Sequence, residues 1–574
     1  MSTENLVTIE NLHVDFESRR QKISAVRGVS LTIAPGESVA LVGESGSGKT
    51  VTARTVVGLH GPTARIRADR FEIAGEDARN FSERRWRSVR GGGIGLVLQD
   101  ALVSLDPLRR ISQELGEVLR THKVVSRGEV GHRSIELLES VGVDDPARRL
   151  TQYPHQLSGG LRQRALIATA IAAAPELIIA DEPTTALDVT VQAQILRLLE
   201  ERRDAGNALL LISHDLAVVA RLATRVLVMR GGEVVEDGTT EQILGTPTHP
   251  YTKQLLRAIP SAATRGRRLG ACASVVESTT STQDSAADAE RRVVTPSPES
   301  WSSPTTVLAV SDLSKTYRSP GNAPVTVVDG VDFELAAGET LGIVGESGSG
   351  KTTVARIALG LVEPDSGLVV LDGHEWTGKS EKERRPLRRL IQSVAQDPLS
   401  SFDPRYSVEA TIGESLDSVG VVGVERANRV GELLDSVHLS RQTLTRYPRE
   451  LSGGQRQRVA IARALAPLPR VIVADEPVSA LDVSVQAQIL DLFTEVRERW
   501  GTSLLFISHD LGVVQHISDR VLVMRKGLVV ENGSVTEVLR DPTHPYTRAL
   551  IESIPVLPSA AEHLREKVSV AVAV

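Results

Sequence analysis

Two kinds of stretch alternate along the chain: short continuous apolar runs, and longer segments of helical period. SVALVG, LIIAD, LLLIS and RVLVM are unbroken apolar runs, rich in β-branched residues or leucine and bounded by Gly, Pro or charge. That pattern predicts strands buried on both faces. VQAQILRLLEERRD, between two such runs, predicts a helix with one apolar side. Strands alternating with helices imply a mostly parallel sheet with helices on both faces. The opening pieces, where alternation is broken by turns, predict a small antiparallel sheet. Residues about 105–157 and 403–450 predict helices.

The whole pattern occurs twice, in the same order. AVRGVSLTIAPGESVALVGESGSGKT returns as VVDGVDFELAAGETLGIVGESGSGKT, and ELIIADEPTTALDVTVQAQIL as RVIVADEPVSALDVSVQAQIL. LVTIENLHVDF pairs with LAVSDLSKTY, and PTHPYTKQLLRAIP with PTHPYTRALIESIP. The period is that of a duplicated domain and not of a short solenoid unit. The expected domains are 1–260 and 307–556. Between them 261–306, rich in Ser, Thr and Ala, predicts a flexible linker; a tail, 557–574, closes the chain.

Composition narrows the class. The formal net charge is −6 over 574 residues, which implies no bulk attraction to nucleic acid. The single cysteine, Cys272, excludes a disulfide framework or a cysteine-built metal site within one chain and fits a reducing compartment. The first residues show no basic region leading into an apolar one, so no signal peptide is expected. No apolar run approaches the ~20 residues that span a bilayer. The richest, 165–180, is broken by Pro175 and Glu176. The expectation is a cytosolic chain; any spanning of a membrane falls to other subunits.

GESGSGKT fits G-x-x-x-x-G-K-[ST] after an apolar strand in both copies. Its glycines let the backbone curl so that successive N–H groups meet phosphate oxygens, and the next helix presents its positive end to the same charge. The expected nucleotide contacts, assigned to ATP by the resemblance given below, are Gly43, Glu44, Ser45, Gly46, Ser47, Gly48, Lys49, Thr50 and Val51, and in the second copy Gly345, Glu346, Ser347, Gly348, Ser349, Gly350, Lys351, Thr352 and Thr353; the loop alone does not separate a kinase, a GTPase and a transport ATPase. Lys49 and Lys351 neutralise the outer phosphates; Thr50 and Thr352 set a hydroxyl on Mg2+. LIIADEP and VIVADEP each end a strand in two carboxylates. Asp181 and Asp475 stand where a strand end reaches Mg2+ through water, and Glu182 and Glu476 where a base polarises the attacking water. LSGGLRQR and LSGGQRQR set Ser158, Gly159 and Gly160, or Ser452, Gly453 and Gly454, at the start of a helix, a second anion site in each copy.

This combination resembles the nucleotide-binding domains of ABC transporters over nearly the whole chain, linker and tail excepted. The resemblance implies tandem α/β P-loop NTPase (RecA-like) domains, each with an antiparallel β subdomain and a helical subdomain. In that family the phosphate loop of one domain faces the Ser-Gly-Gly of another across two ATP molecules, which would account for two copies in one chain. It also implies roles for Gln99 and Gln396 (sensing Mg2+ and water, and touching membrane subunits), His214 and His509 (the γ-phosphate), Asp188 and Asp482 (speaking across the pair), and Phe16 and Tyr317 (stacking on adenine). Since each copy carries the full catalytic set, both are expected to hydrolyse ATP.

QDALVSLDP and QDPLSSFDP, YPHQLSGG and YPRELSGG, and THPYT look like the ATPases of dipeptide and oligopeptide importers, whose relatives import nickel, metallophores or glutathione. The implied partners are two transmembrane permease subunits and an extracytoplasmic substrate-binding protein, with the chain peripheral on the cytoplasmic face of the inner membrane and no nucleic acid bound. Some of these ATPases hold an iron–sulfur centre just after THPYT; with Cys272 alone, none is expected here. THPYT itself reads as a Pro-fixed turn into a helix, marking kinship and not chemistry. The basic stretches ERRWRSVR and EKERRPLRR read as solvated faces. A soluble twin ATPase acting on ribosomes fits less well, since those relatives carry a charged helical arm and DEPTNHLD. An exporter with separate membrane chains is the other alternative.

Overall fold

The continuous apolar runs become the inner strands of two six-stranded sheets. The computed structural model describes residues 5–17, 22–61, 63–99, 104–185, 187–270, 305–318, 324–479 and 481–554. By their contacts these form two units. Unit 1 runs to Leu187 and takes in Val191–Leu256; unit 2 takes in Asp188–Thr190 and Arg257–Ile554.

In unit 1 the large sheet has the order Glu233–Thr239, Arg225–Arg230, Ser38–Val42, Ala208–Ile212, Leu177–Asp181, Ile94–Val97. Its neighbours are parallel except for the antiparallel first pair. Ser38–Val42, Ala208–Ile212 and Leu177–Asp181 are buried at every residue, as unbroken apolar runs require. The register sets Leu41 beside Ile212 and Ile212 beside Asp181. Three adjacent strands therefore end at one level, and the residues that follow them share the carboxyl edge of the sheet, where open α/β sheets bind ligands. A second, antiparallel sheet is built on Val7–Glu17, paired with Lys22–Ile33, Arg70–Ile73 and Ala64–Arg67. The helices Ile111–Thr121, Val130–Ser140 and Gly159–Ile171 make the helical part.

Unit 2 repeats the plan. Its large sheet runs Ile391–Val394, Val471–Asp475, Ser503–Ile507, Thr340–Val344, Arg520–Arg525, Leu528–Ser534, with Ile343 and Asp475 both beside Ile507. Thr306–Tyr317 pairs antiparallel with Val325–Ala336 and Ser366–Leu371. Val408–Asp417, Gly423–Ser436 and Gly453–Leu465 are its helical part. The expected α/β class, with an antiparallel β sheet added to each P-loop domain, is the class observed.

Residues 261–270, at the head of the expected linker, pack on unit 2. Leu269 joins its hydrophobic core, and the amides of Leu269 and Gly270 donate to the Asp491 carboxylate at 2.9 and 2.6 Å. Residues 271–304, Cys272 among them, and the tail 555–574 lie outside the described residues. Among the described residues no helix is long and apolar enough to cross a membrane.

Candidate active site

The loop Gly43–Thr50 leaves the central strand Ser38–Val42 and ends in the helix Lys49–Val56. Gly43 has φ 146°, and a Cβ there would sit 2.1 Å from the Met229 carbonyl oxygen; at Gly345 the distance is 2.2 Å to that of Met524. Only glycine lets the loop root lie so close to the neighbouring strand. The Lys49 ammonium donates to the carbonyls of Gly43 at 2.6 Å and Glu44 at 2.8 Å, and Lys351 to those of Gly345 and Glu346 at 2.7 and 2.8 Å. Burial lowers the Lys351 pKa against the pull of Glu476, Asp475 and Glu346. The lysines are thus folded back into their own loops. Val51 and Thr353 lie in the first turn of the following helices.

Thr50 Oγ1 donates to Asp181 Oδ1 at 3.0 Å, and Thr352 Oγ1 to Asp475 Oδ1 at 3.4 Å. Burial raises both aspartate pKa values; the threonine bonds work against it and the adjacent glutamates with it. Asp181 Oδ2 is buried with no hydrogen-bond partner among the described residues. A buried carboxylate oxygen without a donor is costly alone and is what a hard cation would take up, and the oxygens of Thr50, Asp181 and Gln99 are the donor type Mg2+ selects.

The next residue carries the densest contacts. Glu182 accepts from Gln99 Nε2 at 2.9 Å and Thr185 Oγ1 at 3.0 Å, and faces His214 Nδ1 at 3.3 Å. Glu476 accepts from Gln396 Nε2 at 3.0 Å and faces His509 Nδ1 at 3.2 Å. Burial works against charge on all four groups. The mutual hydrogen bond and attraction outweigh it, so both glutamate pKa values fall and both histidine pKa values rise. Both glutamates have φ 48°, a left-handed conformation that costs a non-glycine residue energy. Each is locked there by its own amide, which donates to Ile212 at 2.8 Å or Ile507 at 2.9 Å.

Ser158 and Ser452 cap their helices, accepting from the amides of Leu161 and Gln455. A Cβ on Gly160 would meet Val191 at 2.7 Å, and one on Gly454 Val485 at 2.5 Å, so the second glycine of each turn admits a neighbouring helix. Asp482 caps Val483–Trp500 through the Val485 amide at 3.1 Å. Asp188 counts with unit 2, where it accepts from the Ser347 amide at 3.4 Å. Phe16 and Tyr317 occupy equivalent ends of their strands; Phe16 packs against the core, whereas Tyr317 is exposed with the Lys315 ammonium 5.9 Å from its ring centre.

The basic stretches are only in part the solvated faces expected of them. Arg85 pairs with Glu76, and Arg90 donates to the carbonyls of Val57 and Gly58. Arg384 is buried and donates to Gly360, while Arg388 grips Glu381 and the Leu359 carbonyl. Arg90 in the first stretch, and Arg384 and Arg388 in the second, therefore staple the turn after the phosphate-loop helix, while Arg84, Arg87, Lys382, Arg385 and Arg389 are exposed. Three further features escaped sequence reasoning: the left-handed glutamates, the Thr185 bond, and the hydroxyls of Tyr251 and Tyr546, which accept the amides of Glu44 and Glu346. Only the last had a visible signal, the tyrosine of the duplicated THPYT.

The ABC transporter family profile matches residues 26–185 and 328–479, and that of the oligopeptide/dipeptide transporter C-terminal region matches 235–285 and 530–572. The oligopeptide transport ATP-binding protein OppD of Mycobacterium tuberculosis is 41% identical over 96% of this chain and 98% of its own. The peptidoglycan transport ATP-binding protein YejF of Agrobacterium fabrum is 42% identical over 96% of each. The glutathione import ATP-binding protein GsiA of Escherichia coli is 41% identical over 96% of this chain and 90% of its own. A solved dimeric bacterial ABC transporter cassette is 30% identical, spans 40% of this chain and 98% of its own, and superposes with a TM-score of 0.37.

Proposed function

The chain belongs to the ATP-binding proteins of ABC transporters, in the oligopeptide/dipeptide importer family with two ATPase domains in one chain, and from that premise we propose that both units hydrolyse ATP with the residues described above. It couples ATP hydrolysis to transport, and its type implies partner permease components.

The observation that carries the proposal is the clasp around the second carboxylate, present in each unit: Gln99, Glu182 and His214, and Gln396, Glu476 and His509. Lys49 and Lys351 turn from their loop carbonyls to the outer phosphates. The N–H groups at the start of Lys49–Val56 and Lys351–Ala358 receive the charge of the triphosphate. As the Gln and His side chains turn toward nucleotide, Glu182 or Glu476 is released to orient a water in line with the γ-phosphorus and to draw its proton. Mg2+, held by Thr50, Asp181 and Gln99 or by Thr352, Asp475 and Gln396, supplies charge neutralisation at the phosphate oxygens when bound. Phe16 and Tyr317 offer ring faces to adenine. Each copy also carries its own Ser-Gly-Gly turn at the start of a helix, a second place where backbone N–H groups can meet an anion.

Peptides are the proposed cargo, moved through two permease subunits loaded by an extracytoplasmic binding protein, with this chain at the cytoplasmic face. GsiA, whose name states glutathione import, is as similar as OppD, so glutathione is the second reading. The chain, reconstituted with its permeases and binding protein, is expected to hydrolyse ATP faster on addition of di- or oligopeptides. Stimulation by glutathione or nickel alone would move the assignment.

A further inference from the structure

We propose that Tyr251 and Tyr546, the tyrosines of the two THPYT segments, are positioning residues for the phosphate loops. In unit 1 the Glu44 amide donates to the Tyr251 phenol oxygen at 3.1 Å; in unit 2 the Glu346 amide donates to that of Tyr546 at 3.0 Å. These segments lie some 200 residues downstream of the loops in sequence. The same bond arises in each unit from separate residues.

The tyrosines are themselves held on several sides. Glu236 accepts from the Thr248 amide at 2.6 Å, the Thr248 hydroxyl at 2.7 Å and the His249 amide at 3.2 Å. His249 Nδ1 then accepts the Tyr251 amide at 3.2 Å, and the Arg230 guanidinium lies 4.9 Å from the centre of the tyrosine ring. In unit 2 Glu531 holds Thr543 and His544, His544 Nδ1 accepts the Tyr546 amide at 3.1 Å, and Arg525 lies 4.8 Å from the ring centre. Glu236 stands on the strand paired with Arg225–Arg230, the strand whose Met229 carbonyl abuts Gly43. Strand, turn and tyrosine form one rigid support for the loop root.

The residue after the first loop glycine is pinned from two directions. Its carbonyl takes the lysine ammonium and its amide gives to the tyrosine. When Lys49 or Lys351 turns to phosphate, the lysine pin is withdrawn and the tyrosine bond remains. The tyrosine therefore matters most in the nucleotide-bound loop, where it keeps the root in the curl that aims the later amides at phosphate. This assigns to THPYT a part in ATP binding, and it rests on the reading of Gly43–Thr50 and Gly345–Thr352 as ATP loops.

Tyr251→Phe and Tyr546→Phe remove the oxygen and keep the ring and its arginine. Leu255→Ala, buried on the same helix as Tyr251, serves as the comparison for packing loss alone. The full chain is titrated with the Mg2+ complex of a fluorescent N-methylanthraniloyl ATP, and ATP turnover is measured alongside. Loss of one net hydrogen bond per loop predicts that the doubly substituted chain binds roughly three- to tenfold more weakly, with a matching rise in KM and kcat within about twofold. Leu255→Ala is expected to lower the unfolding temperature and leave affinity unchanged. Phenylalanine variants that bind as tightly as the wild type, or an equal loss of affinity in Leu255→Ala, would overturn the proposal while leaving the ATPase reading intact. A wild-type chain that failed to bind the nucleotide would overturn both.

Discussion

Around Glu182 and Glu476 the contacts from Gln, His and Tyr agree between the units to within a few tenths of an ångström, although Thr185 donates to the Glu182 carboxylate and Ser479 to the Glu476 carbonyl: Gln to Glu is 2.9 and 3.0 Å, His to Glu 3.3 and 3.2 Å, Tyr to loop amide 3.1 and 3.0 Å. On the helices behind the sheet they part. In unit 1 Arg221 grips Glu200 through two bonds and Arg197 is exposed. The matching positions of unit 2 are His516, Thr494 and Asp491, and there the segment 257–270 lies against the helices. His516 Nδ1 meets the Thr264 hydroxyl at 3.2 Å, Arg268 pairs with Glu495, and Asp491 takes two backbone amides. Where unit 1 has Ala217, unit 2 has Gly512, at which a Cβ would come 2.7 Å from the Pro260 carbonyl oxygen. The lesson is physical. Groups aimed at a shared ligand must keep both identity and distance, whereas a helix face need only find some partner, and the two copies find different ones.

The largest effect should come from the region where the units agree. Replacing both Glu182 and Glu476 by glutamine removes both proton acceptors, and turnover should fall by roughly 10²–10⁴-fold while ATP binding persists, as a radiolabelled filter assay would show.

The next effect should come from the region where they differ. Asp491→Ala leaves the Leu269 and Gly270 amides without their acceptor and should cost about 1–3 kcal/mol in the docking of 257–270. Hydrogen exchange of those amides in the full chain reads this directly. Arg197→Ala, at the matching exposed position, should stay within about 0.5 kcal/mol. Equal losses would erase the distinction between the two faces.

The smallest effect is a pH dependence. Burial, helped by the charge of Arg265, lowers the His516 pKa to about 4, against the usual 6.5. A depressed histidine contributes stability that is complete above the unfolded-state value and is lost as pH falls toward the folded one. Exchange of residues 262–270, corrected for its intrinsic rate, should quicken between these values, and His516→Gln should flatten the profile.

Strand, loop and helix were legible at GESGSGKT because glycine and lysine spacing is itself the mechanism. DEP was legible because a phosphate loop lies in the same domain; two carboxylates after an apolar strand would otherwise read as readily as a solvated acidic turn. The clasp of Glu182 by Gln99 and His214 joins three distant segments, and only the resemblance to a family suggested that they meet. The left-handed turn at Glu182 left no mark, since glutamate does not favour it. The docking of 261–270 was hidden for another reason: it is made by scattered contacts of Thr264, Arg265 and Arg268, two backbone amides and one leucine, so a segment with no apolar period read as linker. The tyrosine of THPYT was visible, yet its hydroxyl had no assignable partner until the fold brought Glu44 to it.

The central claim is that the two carboxylate sites are chemically equivalent. Its most direct measurement is the steady-state ATP turnover of Glu182→Gln and Glu476→Gln, each made singly in the full chain and compared with the wild type. The account predicts a large loss in both, of similar size. Wild-type turnover in either variant would show that one of the two sites does not work, and would contradict it.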